Sequence, residues 1–413
     1  MKRVVITGIG TVNPVGLNAV DTWAALMSAK SGISNIESFD PDEYGIRTKI
    51  AGEVKGFDPD NWMDRKEARR MGRFSQFALA AAKEAVDDSG LKLEGATCQE
   101  VGVVIASGVG GLTTVIEQAF VLRDKGARRV SPFAVPMLMP NAAAGVISIH
   151  LGCRGPSFAT ASACASSADA LGVALDTIRM GRAKAMLAGG TEATIIPVCV
   201  ASFEQAHALN SNSNDEPEKA SRPFDVNRDG FVLSEGAAVL VLEEEEYAKA
   251  RGARIIAELA GYGAASDGFH ITAPDPGGIG AIQAMTVALS NAEAGSDEVI
   301  YINAHGTSTQ LNDKIEALAV SKVFGHSTTP ISSTKSMTGH LAGAAGALEA
   351  LICAKTVETG VAAPTINYDN PDPECDVDCI PWKPREIGKG VILSNSFGFG
   401  GHSSCLAFRP YDL

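Results

Sequence analysis

Short β-branched runs alternate along the whole chain with helical patterns rich in alanine and glycine, and this alternation limits the fold more than any other feature. Strand patterns fall at 4–7, 101–105, 185–188, 238–242, 255–261, 299–303, 330–333 and 391–394. Helical patterns fall at 19–28, 74–89, 165–180, 243–251, 278–292, 313–324 and 342–358. Such interleaving predicts an α/β protein with largely parallel strand pairing. A faint repeat lies within it. Ala170-Leu-Gly-Val-Ala-Leu-Asp-Thr-Ile-Arg-Met-Gly181 resembles Glu349-Ala-Leu-Ile-Cys-Ala-Lys-Thr-Val-Glu-Thr-Gly360. Each is a small-residue helix that ends on glycine and follows a strand and a turn rich in Gly or Ser. Two copies of one unit, dividing near residue 250, explain the repeat, with the two helices packed against each other in the middle. Chance similarity of composition is the alternative.

Hydrophobic residues make up 45% of the 413, which is enough for a large core and excludes a disordered chain or a disulfide-stapled mini-protein. The net charge of −13 argues against a nucleic-acid binder. The apolar stretches 101–116 and 132–149 are broken by Gly, Pro or Asn, so no membrane span is predicted. No targeting signal is visible, because Met1-Lys2-Arg3 leads straight into Val4-Val5-Ile6. Eight scattered cysteines then predict free thiols in a reducing cytoplasm. Cys375 and Cys379 are the one close pair. Their Asp, Pro and Glu flanks favour ordinary loop thiols over a zinc site. Segment 210–224 reads as a polar loop.

Four segments could carry chemistry. Cys164 sits where the turn Phe158-Ala-Thr-Ala-Ser-Ala-Cys164 meets a helical pattern. The positive end of a helix favours the reactive thiolate, although a small buried core cysteine is the plainer reading. Cys153, Cys199, Cys353 and Cys405 lie in runs that look buried. His305 follows a β-run and opens the turn Gly306-Thr-Ser-Thr309, and His340 closes Ser332-Ser-Thr-Lys-Ser-Met-Thr-Gly-His340. Hydroxyl-rich turns after strands suit catalytic groups, but a lone histidine is more often a structural hydrogen-bonder. His150, His207, His270, His326 and His402 do not repeat that setting as well and are set aside. Asn395-Ser-Phe-Gly-Phe-Gly-Gly401 permits close approach of backbone to a ligand, or a tight hairpin. Its spacing is not that of a nucleotide loop. Two basic islands, 65–70 and 128–129, could guide an acidic partner to one face or be solvated helix faces.

Taken together these segments resemble the β-ketoacyl-acyl carrier protein synthases, condensing enzymes of the thiolase-fold group. The match runs from Val4-Val-Ile-Thr-Gly-Ile-Gly10 to the final Gly-rich loop, through Ala163-Cys-Ala-Ser166, Asn303-Ala-His-Gly-Thr-Ser-Thr309 and Ser333-Thr-Lys-Ser-Met-Thr-Gly-His340. The resemblance implies a duplicated thiolase-like fold, layered α-β-α-β-α, with two mixed sheets around buried central helices. Residues 1–250 would carry the nucleophile, and 251–413 the two histidines, the lysine and the gate loop. It also implies fatty acid chain elongation by ping-pong acyl transfer. Cys164 takes an acyl chain as a thioester, and malonyl-carrier protein loses CO2 to give the attacking enolate carbon. His305 and His340 would donate to the developing enolate oxygen, with Lys335 organising the second histidine. The backbone N–H groups of Cys164 and Phe399 would form the oxyanion hole, Phe399 being also the gate. Thr307 and Thr309 would line the malonyl and pantetheine approach. Val109, Ala134, Cys199 and Phe203 would wall the acyl pocket. Lys66, Arg69, Arg70, Arg128 and Arg129 would dock an acidic carrier protein. No catalytic metal and no cofactor are expected, since phosphopantetheine arrives on the carrier. Glu349 matches a buried acid near the second histidine, and with Asn303 and Asn395 it is a candidate structural monovalent-cation site. The family also implies a homodimer.

The sequence departs from the family in places. The motif that usually continues Gly-Gly-Thr-Asn reads Gly400-Gly401-His402-Ser403 here, and Ser131-Pro-Phe-Ala134 has Ala where the family has a second Phe. That Phe reaches across the dimer, so Ala134 predicts a wider pocket end. Cys199 replaces a usual Gly, and Asp169 stands where His is frequent. A ketosynthase of a type II polyketide or polyene pathway would keep every catalytic residue. A degradative thiolase needs a second cysteine that the loop 397–404 lacks. A non-catalytic chain-length partner would have lost the cysteine, and no ligand cluster supports metal-dependent hydrolysis.

Overall fold

A computed structural model of the chain describes residues 2–325 and 329–412, so His326 lies outside the described residues. Eleven strands form one hydrogen-bonded array made of two mixed sheets. The first runs in the order Ser157–Phe158, Val101–Ala106, Ala185–Glu192, Gly236–Glu244, Val4–Val12. The second runs Ala257–Ser266, His402–Arg409, Val391–Gly398, Val299–Asn303, Pro330–Ser332, Asp378–Cys379. They meet edge to edge where Val5 and Ile6 pair with Glu258 and Ala257.

The pairing corrects the expectation of largely parallel strands. Parallel ladders occupy the outer strands of each sheet. The inner ladders are antiparallel: Gly236–Glu244 opposes both Val4–Val12 and Ala185–Glu192. His402–Arg409 likewise opposes both of its neighbours. A three-residue turn joins Val391–Gly398 to His402–Arg409, and so short a connection permits only a hairpin.

Five layers follow from which faces are apolar. Helix Arg73–Ser89 covers the outer face of the first sheet with Phe77, Ala78, Ala81 and Ala85. Helix Ile279–Asn291 covers the outer face of the second with Ala281, Ala284, Met285 and Ala288. Between the sheets lie the central helices Ser166–Arg179 and Ala345–Thr359, which share one core through Leu171, Ala174, Ala350 and Ala354. They touch directly, with Ala347 N–H donating to Ser167 Oγ at 2.9 Å. Both run out into glycines of positive φ, Gly181 at 70° and Gly360 at 70°. These are the helices of the faint repeat.

Backbone contact shows a second duplication. A Cβ on Gly8 would lie 2.2 Å from the Ala85 carbonyl oxygen, and one on Gly10 2.1 Å from that of Ala81. In the other half, a Cβ on Gly261 would lie 2.3 Å from the Ala288 oxygen and one on Gly263 2.1 Å from that of Ala284. Each half therefore presses a Gly-x-Gly strand onto an alanine ridge, which only glycine allows.

Other differences are local. Strand Ser157–Phe158 and helices Leu112–Lys125, Ala142–Leu151 and Pro197–Gln205 lacked a clear pattern. The pattern at 243–251 shortens to helix Glu245–Ala250 because Glu243 and Glu244 close the preceding strand. Cys375 lies in a loop as expected and Cys379 on strand Asp378–Cys379, and both thiols are buried in the core of the second sheet. Among the described residues no His, Cys, Asp or Glu cluster could hold a metal, and no helix is long and apolar enough to cross a membrane.

Candidate active site

The central helix Ser166–Arg179 begins two residues after Cys164. The turn before it is tight: Ala165 N–H bonds Ser162 O at 3.1 Å and Ser166 N–H bonds Ala163 O at 3.2 Å. Ala163 pays for that turn with a φ of 51°, which strains a residue that has a Cβ by roughly 1–2 kcal/mol. The side chain of Cys164 is thereby lifted off the helix into a cavity of about 320 Å³. The hairpin from the other half crosses closely above it. A Cβ on Gly398 would lie 2.9 Å from Cys164 N, so glycine there lets the next residue, Phe399, aim its backbone N–H at the sulfur.

His305 and His340 enter the same cavity from the second half. His305 follows strand Val299–Asn303, and its backbone N–H donates to Glu316 Oε1 at 2.8 Å. His340 ends the turn after helix Lys335–Thr338, with its N–H on Val232 O at 2.8 Å. The two rings stand edge to face, 5.3 Å apart, with Phe397 5.7 Å from His305 and Phe231 5.2 Å from His340. His305 Nδ1 and both ring nitrogens of His340 are buried without a protein partner. Burial, then the Lys335 charge, holds both imidazoles well below their ordinary range. They are neutral near pH 7, each with one ring N–H to donate.

Lys335 is buried and ion-paired with Glu349. Burial pushes the Glu349 carboxyl up to about 7 against the pull of Lys335. Burial likewise pushes the Cys164 thiol up to about 12, more than Lys335 and the Phe399 N–H pull it down. This burial works against the positive end of the helix, which favours the thiolate.

The structure brings Cys164, Phe203, His305, Thr307, Thr309, His340 and Phe399 around one cavity. Thr307 and Thr309 share a hydroxyl bond of 3.0 Å, and Phe399 leans on Phe203 at 6.4 Å. Val109, Ala134 and Cys199 do not line this cavity; Val109 is 39% exposed and Cys199 is buried. His402 and His207, set aside in the sequence, are exposed members of its wall. Sequence reading also missed Glu316, which accepts from His305 N–H, Gly306 N–H at 2.7 Å and Asn395 Nδ2 at 3.2 Å. Its one signal was a carboxylate on the cavity-facing side of helix Gln310–Phe324. Behind the histidines, Asn303 Oδ1, Glu349 Oε2, Asn395 Oδ1 and Ser396 Oγ are all buried without a hydrogen-bond partner. Asn395 and Ser396, neighbours on one strand, turn to opposite faces, Asn395 to Met285 and Glu316 and Ser396 to Gly346, so the four oxygens do not share one site. The basic residues Lys66, Arg69, Arg70, Arg128 and Arg129 are all exposed. Arg70 stacks on Phe133 at 4.7 Å, which ties one island to the segment after the other.

A half-buried cysteine presented by one half of a duplicated fold, facing two neutral histidines from the other with a buried lysine behind them, defines a thiolase-fold condensing enzyme. The known proteins agree. Residues 1–248 match the N-terminal domain of β-ketoacyl synthase and residues 256–369 the C-terminal domain. A 3-oxoacyl-[acyl-carrier-protein] synthase 2 from Synechocystis is 47% identical over 413 residues, covering 100% of this chain and 99% of the relative. A β-ketoacyl synthase from Burkholderia phymatum superposes with a TM-score of 0.91 at 39% identity, covering 99% of this chain and 100% of that one. A type II polyketide ketosynthase, bound to a hexaketide and in complex with its acyl-carrier protein, superposes with a TM-score of 0.92 at 34% identity over the full length of both chains. The chain belongs to the β-ketoacyl synthase family.

Proposed function

We propose that this protein is a 3-oxoacyl-acyl carrier protein synthase of fatty acid elongation, an acyltransferase that works through an acyl-Cys164 thioester. The observation that carries the reading is the convergence of Cys164, His305 and His340 in one walled cavity. The Cys164 sulfur attacks the acyl carbonyl, and the oxyanion is met by the N–H groups of Cys164 and Phe399. The pantetheine thiol leaves and takes the proton that Cys164 gives up, so the exchange is proton-neutral. A raised Cys164 thiol suits this, because the group left behind is a thioester and not a buried charge. Malonyl-carrier protein then loses CO2. His305 and His340 donate to the enolate oxygen, and neutral rings serve as donors without having to be recharged. The enolate carbon attacks the acyl-Cys164 carbonyl, the C–S bond breaks, and Cys164 leaves as a thiolate that takes one proton from water, regenerating the thiol beside a product two carbons longer.

Lys335 adds its charge to burial in keeping both histidines neutral. A structural monovalent cation near Asn303, Glu349 and Asn395 would neutralise the unpaired Glu349 oxygen. The acyl groups arrive on a carrier's phosphopantetheine arm, so no organic cofactor is required. The division at 250/251 separates the half with the nucleophile from the half with the histidines. The exposed apolar residues Val115, Phe120, Phe133, Val135 and Met139 favour a homodimer in which a second copy covers Ala134 and the pocket-wall residues. Eight free thiols accord with a reducing cytoplasm.

A second reading, a ketosynthase of a type II polyketide or polyene pathway, is favoured by the likeness to the hexaketide-bound enzyme and by the small Ala134. Retention of Cys164, His305, His340 and Lys335 argues against a non-catalytic chain-length partner. Offering carrier proteins loaded with saturated chains or polyketide intermediates separates these readings. Efficient loading of saturated chains is expected. Loading of polyketide intermediates alone would replace fatty acid elongation by the second reading.

A further inference from the structure

The turn that presents Cys164 hangs on a carboxylate for which the reaction above has no use. Asp169 lies in the first turn of the central helix, five residues past the nucleophile. Its two oxygens accept three hydroxyls from three elements. Ser162, two residues before Cys164, donates to Oδ2. Ser404, on the strand that leaves the gate turn, donates to Oδ1. Tyr262, on the strand that joins the two sheets, donates to Oδ1 at 2.9 Å. Each donor is itself fixed. Ser162 N–H bonds Ser166 Oγ at 2.8 Å. Ser404 pairs with Ser396 across the gate hairpin. The Tyr262 ring lies flat on the helix at Gly172, where a Cβ would come within 2.3 Å of it.

We propose that Asp169 is a positioning residue that sets the nucleophile's turn against the gate hairpin, and so fixes the gap between Cys164 and the Phe399 N–H. The inference rests on Cys164 being the acylated residue. Acceptor chemistry explains why this chain carries Asp where the family often has His. Three hydroxyls converge on the position, and an ionised carboxylate accepts all of them through charge-assisted bonds. A neutral imidazole accepts one hydrogen bond and must donate its other. Asp169, Tyr262, Ser404 and Ser162 therefore form one set, with Gly172 admitting the Tyr262 ring.

The test is single-turnover acylation of the purified protein by acyl-carrier protein, followed by intact mass in wild type, C164A, D169A, D169N, S404A, S162A and S162A/S404A. A misplaced nucleophile costs on the order of 100-fold. D169A is expected to acylate about that much more slowly than wild type, with the carrier-protein KM unchanged. D169N, which keeps one acceptor, should fall in between. The S162A/S404A double variant should lose less than the product of its single losses, because both hydroxyls act through one carboxylate. Wild-type acylation by folded D169A, strictly multiplicative losses in the double variant, or a loss carried by KM alone would each overturn the proposal. Where D169A does not fold, S404A and S162A decide: slowed acylation at unchanged melting temperature supports it, and wild-type rates overturn it. Acyl mass persisting on C164A would instead refute the nucleophile assignment on which the proposal stands.

Discussion

Each functional side chain owes its chemistry to burial before charge. Desolvation raises the Cys164 thiol and lowers both imidazoles, while the Lys335 charge acts downward on all three. Three predictions follow at this scale. Alkylation of Cys164 by iodoacetamide should rise about tenfold per pH unit from about pH 6 to 9, because the thiolate fraction grows that way below a raised pKa; a plateau near pH 7 would show a thiolate already formed. Decarboxylation of malonyl-carrier protein should show no histidine titration between about pH 6 and 8, since both rings are already neutral there. His305→Asn or His340→Asn should cost about 10²–10³ in that step while acyl loading of Cys164 continues. Equal loss of loading would show that the histidines serve the first half-reaction as well. The residue types were legible in the sequence, and their electrostatics were not. The motif around Cys164 reads as an activated thiol, whereas the walls that oppose activation come from Phe203 and the hairpin at Phe399, 39 and 235 residues further on.

The elements that position the site were legible where local periodicity and fold agreed. Strand Val299–Asn303 stands where its pattern put it, both central helices do so within a turn, and strand Val391–Gly398 starts with its pattern but runs on past Ser394 to the gate turn. Strand His402–Arg409 was hidden because it opens with His-Ser-Ser and begins at the cavity. Helix Leu112–Lys125 was hidden because only Thr114 of it is buried, which leaves no apolar stripe to read. Strand direction was legible only through the family resemblance, which implied mixed sheets, since alternation of elements does not say which neighbour a strand will choose. Glycine carries the element-scale predictions. Gly261→Ala should destabilise by about 1–3 kcal/mol through overpacking against Ala288, seen as a lower melting temperature with little change in kcat. Gly398→Ala should instead spare the melting temperature more than the activity, because the added carbon displaces Cys164 N from the oxyanion hole. Parallel losses in both variants would mean that the hairpin acts only as a structural strand.

At the scale of the whole molecule, one cavity is lined by residues from both halves of the chain, and on the proposed function the two halves supply complementary chemistry there. A chain of net charge −13 would need a local basic face to meet an acidic carrier protein, and the Arg70–Phe133 stack sets the proposed one beside the exposed apolar segment. Arg69→Glu/Arg70→Glu should raise the carrier-protein KM, more at low salt than at high, while acylation by a small acyl thioester stays unchanged; an unaltered KM would remove this face from the account. The duplicated frame and the four motifs were legible from end to end. The acyl-pocket wall was not, because Val109, Ala134 and Cys199 do not close a cavity within one chain. The most direct measurement of the central claim is intact-protein mass spectrometry of wild type and Cys164→Ala with acyl-carrier protein, followed by malonyl-carrier protein. The account predicts acyl mass on wild type alone, its loss on adding malonyl-carrier protein, and a 3-ketoacyl product two carbons longer. Acyl mass on both proteins, or none on either with a cognate donor, would contradict it.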